Sequence, residues 1–263
     1  MCKRVTISPE GAFLDIYNEK SDAVRDGILI FPGGGYSCVC EDREGSPIAQ
    51  AFLAKGINAF VLTYNTGADI HFPSHLNEAA LAIKYIKDNA KELGVNPERI
   101  FVLGFSAGGH LAGSISTMYK DAADMLGIPE SSVRPAGTVY CYPVVSAYHP
   151  THGGSFYYLT GKNADQMSDA EKDKYSIEMR VKNDTPPAFI WHTVDDELVP
   201  VAGSLKLLEA YIKNGVTVTA HFYPKGPHGM ALANDITAAE NPLWISKLIE
   251  GWVEYAAEFF KTV

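Results

Sequence analysis

The amino-acid sequence predicts an α/β fold, in which a mostly parallel central sheet is covered by helices on both faces. Short apolar runs alternate along the chain with segments of helical periodicity, the pattern of consecutive strand–helix–strand units. Most of these runs are almost uninterrupted, which is typical of strands buried on both faces. A chain of 263 residues with 46% hydrophobic residues can bury one sizeable core, so we expect a single domain over 1–263.

Six apolar runs are predicted to form the parallel strands, and a hairpin is expected before them at the sheet edge. The hairpin pairs 5–7 with 13–17 around the turn Pro9-Glu10-Gly11. The six runs occupy 28–31, 59–64, 100–105, 138–145, 188–193 and 216–223.

Four segments have the apolar periodicity of helices. They cover 74–93, 107–118, 205–212 and 244–259. The stretch 146–186, which precedes the strand at 188–193, fits neither pattern. We expect it to be an insertion that holds short helices, because Ser168 and Glu171 have the spacing of a capping box.

The composition excludes several classes of function. The formal net charge is −9, and no Lys/Arg run supplies the basic face of a nucleic-acid-binding protein. No stretch of about 20 apolar residues is present, so we expect no contact with a membrane through a spanning helix. The first residues contain no apolar signal segment, which favours a cytoplasmic enzyme and leaves an exported mature form as the alternative. The four cysteines form neither a C-x-x-C pair nor a His/Cys/Asp cluster, so we expect no metal.

The strongest chemical motif is G-F-S-A-G at 104–108, between the strand at 100–105 and a predicted helix. A serine on such a turn takes a strained backbone conformation, and the residues two positions away must be nearly free of side chains. Gly104 and Gly108 meet this requirement, so Ser106 is the candidate nucleophile. The alternative is an ordinary glycine-rich turn.

A serine hydroxyl becomes nucleophilic when a histidine removes its proton and a carboxylate orients that histidine. His228 follows the last predicted strand and is the candidate base. His192 and His221 lie within predicted strands and are expected to be packed or surface residues, and none of the other five histidines follows the last strand. Asp195 and Asp196 follow the strand at 188–193, and loop reach favours Asp196 as the acid. The alternative for either is an aspartate that stabilises the turn.

A glycine loop, Gly33-Gly34-Gly35, follows the strand at 28–31. Acyl transfer places negative charge on the carbonyl oxygen, which needs N–H donors aimed at it. Consecutive glycines allow the backbone to turn amides toward the site, and Ala107, the residue after the candidate nucleophile, supplies another amide. The alternative is a flexible loop.

Taken together, these motifs resemble the α/β-hydrolase fold and, within it, the bacterial acetyl-xylan-esterase-like and feruloyl-esterase-like enzymes. The resemblance rests on FPGGGY, GFSAGGHLAG, TPPAFIWHTVDDELVPV and FYPKGPHG, which span about 28–229. It implies that Asp196, in a D-x-x-V-P segment, is the catalytic acid. It also implies that Gly34 and Gly35 are oxyanion donors.

We therefore expect a serine carboxylester hydrolase that acts on small-molecule or oligosaccharide esters. Ser106 attacks the acyl carbon, and His228, oriented by Asp196, moves the proton. This chemistry requires no cofactor. Two alternatives stay open: an amide-bond hydrolase (peptidase or arylformamidase) with the same triad, and a non-catalytic hydrolase-like receptor for a small ligand.

The acyl group is expected to be short, with acetyl first, on a small or carbohydrate alcohol. The insertion is polar, unlike the apolar cap of a long-chain lipase. Its aromatic residues Tyr148, Phe156, Tyr157 and Tyr158 offer faces suited to a sugar ring, and Tyr36 is expected to narrow the acyl side. The alternative is that the aromatic residues of the insertion pack it onto the sheet.

Overall fold

A computed structural model describes residues 3–19 and 23–263; Cys2 lies outside these ranges. Within them the chain forms one eight-stranded sheet in the order β1-β2-β4-β3-β5-β6-β7-β8. The strands are β1 Lys3–Thr6, β2 Phe13–Tyr17, β3 Arg25–Phe31, β4 Asn58–Thr63, β5 Val95–Phe105, β6 Thr138–Cys141, β7 Ala188–Thr193 and β8 Val218–Tyr223. Only the β1–β2 and β2–β4 pairs of this sheet are antiparallel. The predicted parallel sheet with an edge hairpin is confirmed.

Helices occupy both faces of the sheet. They are α1 Glu41–Glu44, α2 Ser46–Leu53, α3 Ser74–Asp88, α4 Ala90–Leu93, α5 Ala107–Leu126, α6 Gly153–Thr160, α7 Asp169–Tyr175, α8 Ile177–Arg180, α9 Ala202–Lys213 and α10 Trp252–Phe260. Among the described residues, no helix has the length and apolar composition needed to cross a lipid bilayer.

The central strand β3 separates two layers of the core, because successive side chains of a strand point to opposite faces. Leu29 packs into a cluster with residues of α3 and α5. Ile30 packs into a second cluster with residues of α2 and α10. Both side chains are fully buried, and each contributes about 1.5–3 kcal/mol to stability.

Two predicted elements are shorter in the structure: one strand ends earlier and one helix begins later. The strand predicted at 138–145 stops at Cys141, because Tyr142 has a φ of 37° and Pro143 has no N–H to donate. The helix predicted at 244–259 begins only at Trp252. Trp244 instead closes a short 3-10 turn, and the Ser246 amide bonds to the Ala233 carbonyl, which holds this segment against the preceding loop.

The stretch 146–186 folds into α6, α7 and α8, joined by short turns. The predicted capping box at the start of α7 is present. Ser168 Oγ accepts the Glu171 N–H at 3.3 Å, and the Glu171 carboxylate accepts the Ser168 N–H at 2.9 Å.

Candidate active site

Ser106, the candidate nucleophile, lies at the carboxyl end of β5 on the turn into α5. Its φ and ψ angles are 53° and −120°, a conformation that residues with side chains rarely adopt. A Cβ atom added to Gly104 would lie 2.0 Å from the Gly108 carbonyl oxygen, and one added to Gly108 would lie 2.0 Å from that of Phe31. Only glycine fits at these two positions, so the packing around Ser106 requires the glycines of the motif.

Ser106 is hydrogen-bonded to His228, which is hydrogen-bonded in turn to Asp196. The distance from Ser106 Oγ to His228 Nε2 is 2.8 Å, and that from His228 Nδ1 to Asp196 Oδ2 is 2.7 Å. An ionised carboxylate only accepts, so Nδ1 carries the proton and Nε2 accepts the serine hydroxyl. The three side chains follow β5, β7 and β8, whose carboxyl ends share one edge because the strands are parallel. The structure thus brings all three predicted residues together.

The two adjacent aspartates have different partners. Asp195 Oδ1 accepts the Gly226 N–H at 2.7 Å, which ties the loop after β7 to the loop after β8. Asp195 therefore has the loop-stabilising role, and Asp196 is the carboxylate that faces His228.

Asp196 is buried among hydrogen-bond donors. Its Oδ1 accepts the backbone N–H groups of Leu198 and Val199, both at 2.9 Å, and its Oδ2 lies 3.2 Å from His192 Nε2. Burial alone would raise the pKa of Asp196. Hydrogen bonds from His192 and His228, with the charge of His228, outweigh burial and hold that pKa below its ordinary value. The carboxylate is therefore ionised at neutral pH.

His192 is a site residue that sequence reasoning left among the packed histidines. It is fully buried, with Nδ1 2.8 Å from Ser204 Oγ and Nε2 3.0 Å from the Val199 carbonyl oxygen. The neighbours of Nε2 are a carbonyl and a carboxylate, so Nε2 carries a proton and donates it toward Asp196. One signal could have identified His192: it is a polar residue at the carboxyl end of the apolar strand β7, where the site residues gather.

The glycine loop after β3 lies beside Ser106. Gly34 and Gly35 line the same pocket as Ser106, with φ angles of 126° and 64°. A Cβ atom on Gly34 would lie 2.2 Å from the Cys38 carbonyl oxygen, so only glycine fits there. Among the described residues, no backbone carbonyl accepts the amides of Gly34, Gly35 and Ala107, so these three N–H groups are not used in the turns of the loop or the helix.

Glu44 fixes the start of this glycine loop, although the sequence does not single it out. Its Oε2 accepts the Gly33 N–H at 2.7 Å, and its Oε1 accepts the Tyr142 hydroxyl at 2.8 Å. Burial raises the pKa of Glu44 above its ordinary value, an effect that these hydrogen bonds oppose. Its main partner is a backbone amide, so no pattern of residue types could have revealed this contact.

The side chain of Tyr36 does not line the pocket, which corrects the prediction that it narrows the acyl side. Tyr36 is 1% exposed, and its hydroxyl donates to His110 Nδ1 at 2.8 Å. The other ring nitrogen of His110 donates to the Tyr175 carbonyl oxygen at 2.7 Å. Burial lowers the pKa of His110 to about 4 and keeps this ring neutral. Tyr36 therefore anchors the glycine loop to α5.

The aromatic residues of the insertion also lie away from the pocket. Phe156 is fully buried in the core and Tyr158 packs against it. The Tyr148 hydroxyl donates to Asp173 at 2.7 Å, and Tyr157 is 42% exposed. The expectation that these rings form the sugar contact is wrong, because packing onto the core and the surface of the insertion determines where they lie.

The pocket in front of Ser106 has a volume of about 350 Å³. It is lined by Gly34, Gly35, Ser37, Cys40, Arg43, Glu44, Ser106, His152, Leu198, His228, Gly229 and Trp244. A larger groove of about 770 Å³ adjoins it and shares Leu198, His228 and Trp244. No three His, Cys, Asp or Glu side chains within 3–19 and 23–263 are arranged to hold a metal ion.

Comparison with known proteins places this arrangement in a family. The family model described as BD-FAE matches residues 14–211. A crystal structure of an acetyl ester-xyloside bifunctional hydrolase from Caldicellulosiruptor lactoaceticus matches with a TM-score of 0.82 and 33% identity, over 97% of this chain and 89% of that one. These matches confirm the predicted α/β-hydrolase fold.

Two curated relatives are longer proteins. Endo-1,4-beta-xylanase B of Butyrivibrio fibrisolvens is 36% identical over 83% of this chain and 34% of its own length. The acetylxylan esterase of Xylanibacter ruminicola is 32% identical over 77% of this chain and 40% of its own length. This chain thus spans about a third to two fifths of these relatives. Since the family model covers most of the sequence, the chain belongs to the BD-FAE family.

Proposed function

We propose that this BD-FAE family member is a serine carboxylester hydrolase that removes short acyl groups, acetyl first, from small or carbohydrate alcohols. One observation carries the proposal. It is the series of hydrogen bonds from Asp196 through His228 to Ser106, with distances of 2.7 and 2.8 Å. This arrangement makes a serine hydroxyl nucleophilic without a cofactor.

In the first half of the reaction, Ser106 Oγ attacks the acyl carbon while His228 Nε2 takes its proton. Asp196 holds Nδ1–H and stabilises the imidazolium that forms. The negative charge that develops on the carbonyl oxygen is held by the free amides of the glycine loop and of Ala107. His228 then gives the proton to the departing alcohol oxygen, which leaves the acyl group on Ser106.

In the second half, water enters and His228 takes one of its protons. The resulting hydroxide attacks the acyl carbon, and His228 returns the proton to Ser106 Oγ as the carboxylic acid leaves. The same amides hold the oxyanion in both halves.

Two features support short acyl groups on carbohydrate alcohols. The pocket beside the oxyanion amides has a volume of about 350 Å³, at the small end of the range for ligand pockets, and it must hold the acyl group together with part of the alcohol, which favours a small acyl group. An acetylxylan esterase and an acetyl ester-xyloside hydrolase are among the proteins to which this chain is similar.

The test compares kcat/KM for 4-nitrophenyl acetate and 4-nitrophenyl octanoate in the wild type and in Ser106→Ala. We expect the acetate to be the better substrate and Ser106→Ala to lower turnover by about 10⁶-fold. Wild-type activity in Ser106→Ala would end the triad assignment. A faster octanoate reaction would overturn only the acyl preference, and faster cleavage of short peptides or N-formylkynurenine would overturn the choice of ester over amide.

A further inference from the structure

His152 is the part of the insertion that reaches the pocket. It is the N-cap residue of α6, and its Cε1 lies 3.8 Å from the position that a Cβ on Gly35 would occupy. The imidazole ring therefore lies next to the glycine loop, in the pocket that contains Ser106 and His228. The mechanism above gives it no role.

The hydrogen bonds of Ser155 determine which nitrogen of His152 carries a proton. His152 Nδ1 accepts the Ser155 backbone N–H at 3.3 Å and lies 2.8 Å from the Ser155 hydroxyl. A backbone N–H can only donate, so Nδ1 is unprotonated and the neutral ring carries its proton on Nε2. Burial, with the charge of His228, lowers the pKa of His152, so the ring remains neutral at neutral pH. Its Nε2–H has no acceptor among the described residues and is available to a ligand.

Trp244 lines both the pocket and the adjoining groove. The Arg43 guanidinium carbon lies 4.3 Å from the centre of its ring, and Arg43 Nη1 donates to the Gly229 carbonyl oxygen at 3.0 Å. These two contacts hold the indole beside the loop that carries His228. They fix its position even though Trp244 lies in a short 3-10 turn and not in a helix that packs on the core.

The alcohol part of the ester must lie on the side of His228, because His228 Nε2 delivers a proton to the departing oxygen. On that side the pocket continues into the groove of about 770 Å³. The groove combines apolar surface from Trp244 and Leu243, which is 69% exposed, with charged groups from Glu197 and Lys225. This mixture suits a group that has both apolar faces and hydroxyls.

We propose that His152 and Trp244 form the subsite for the alcohol part, a sugar ring that lies where the pocket meets the groove. The ring contacts Trp244, which lines both, with a C–H face, and it accepts a hydrogen bond from Nε2–H of His152, which lines the pocket. A sugar ring offers both an apolar C–H face and hydroxyl oxygens that accept hydrogen bonds. A plain aryl alcohol offers an apolar ring face but no oxygen acceptor beyond the ester itself. His152 and Trp244 are then specificity residues of the site. This assignment rests on the proposed ester hydrolysis.

The test compares phenyl acetate, whose leaving group carries no further acceptor, with a mono-acetylated methyl β-xyloside. His152→Asn removes the ring donor and keeps an acceptor for the Ser155 N–H, so the cap of α6 is retained. We expect its loss of kcat/KM to be about 10-fold larger for the acetylated xyloside than for phenyl acetate. Trp244→Leu removes the ring that both leaving groups can contact, so we expect it to lower kcat/KM for both esters.

His149→Asn is the matched control. His149 lies in the same insertion, but it is exposed and bonded to Asp165, away from the pocket. We expect His149→Asn to leave the ratio of the two substrates within about 2-fold of the wild type. Equal losses on both esters in His152→Asn, or no loss on either, would overturn the subsite. So would a Trp244→Leu variant that alters only the discrimination between acetate and octanoate.

A failure of the proposed ester hydrolysis would give a different result in the wild type. A wild-type protein that hydrolyses neither acetate ester would overturn ester hydrolysis itself, and the sugar subsite with it. A wild type that cleaves both esters, with unchanged preference in His152→Asn, would overturn the subsite alone.

Discussion

The loops that follow β5, β7 and β8 and the insertion at 146–186 border the same pocket but are built differently. At the strand ends, hydrogen bonds link polar side chains in series, from Ser204 of α9 through His192 of β7 and Asp196 to His228. In the insertion, Phe156 and Tyr158 pack into the core, and His152 alone of the described residues 146–186 lines the pocket. Parallel strands bring their carboxyl ends together by topology, whereas the direction of a side chain in an inserted helix depends on its packing.

After Ser106→Ala, the strand-end region should show its largest effect in Asp196→Asn. Asp196 Oδ1 accepts two backbone N–H groups, so the asparagine oxygen would take that place and its NH₂ would face His228 Nδ1. His228 would then carry its proton on Nε2 and could not accept the Ser106 proton. We expect kcat for 4-nitrophenyl acetate to fall by about 10⁴-fold.

Asp195→Asn is the control for this change. The asparagine oxygen can still accept the Gly226 N–H, so the loop that carries His228 keeps its anchor. We expect activity within about 3-fold of the wild type. Equal losses in the two variants would contradict the distinction between the two aspartates.

A smaller effect is expected at His192, which contacts Asp196 and not His228. His192→Phe removes the N–H shared by Asp196 and the Val199 carbonyl, so the carboxylate is less firmly oriented. We expect kcat to fall by about 10- to 100-fold with little change in KM, and His192→Gln, which offers an N–H, to recover part of the loss. A wild-type pH profile and kcat in His192→Phe would show that His192 does not position Asp196.

The pH dependence of stability should reflect a buried histidine of another kind, His75 of α3. Among the described residues, neither of its ring nitrogens has a hydrogen-bond partner, and burial lowers the pKa of His75 to about 4. The unfolded chain therefore binds the proton first, so the stability that depends on neutral His75 is complete above about pH 6.5 and is lost as the pH falls toward 4.

Urea denaturation at pH 7.5 and pH 5 measures this effect. Between these values, the free energy of unfolding of the wild type should fall by about 2 kcal/mol more than that of His75→Phe. His110, whose pKa is also lowered, is common to both proteins and cancels in this difference. Equal decreases in the two proteins would show that His75 does not contribute to acid sensitivity.

The smallest effect is expected in the insertion. Tyr157 is 42% exposed and does not line the pocket, so Tyr157→Ala should change kcat/KM for both aryl and sugar acetates by less than about 2-fold. A selective loss of kcat/KM for the sugar ester would show that Tyr157 contacts the substrate, which would contradict the contrast between the two regions.

This contrast also explains how much the sequence reveals. Ser106, Asp196 and His228 are predictable because each follows a recognisable apolar strand, and the glycines around Ser106 are fixed by contacts that leave no space for a Cβ. Glu44 is not predictable, because its partners are the Gly33 backbone amide and the distant Tyr142 hydroxyl. His192 has only one signal, its place at the carboxyl end of β7, because its contacts with Asp196 and Ser204 depend on how the following loop folds back. The orientation of Tyr36 is not predictable either, because adjacency to the glycine loop does not determine which way a side chain points.

The bounds of helices and strands are likewise predictable only where side chains pack against the core. The hydrophobic pattern indicates β7 correctly at 188–193, where side chains are buried on both faces. It fails at 244–251, where Leu248 is 62% exposed and the apolar residues belong to an irregular segment beside the active-site groove. Periodicity reports burial only where a helix actually packs against the core.

Covalent labelling tests the central claim most directly, because only an activated serine reacts readily with a fluorophosphonate. Mass spectrometry of the treated wild type should find one phosphonyl adduct, on the peptide that contains Ser106, and no adduct in Ser106→Ala. Strongly reduced labelling in His228→Ala would show that the reactivity depends on the imidazole. An adduct on another serine, or labelling that persists in Ser106→Ala, would contradict the account.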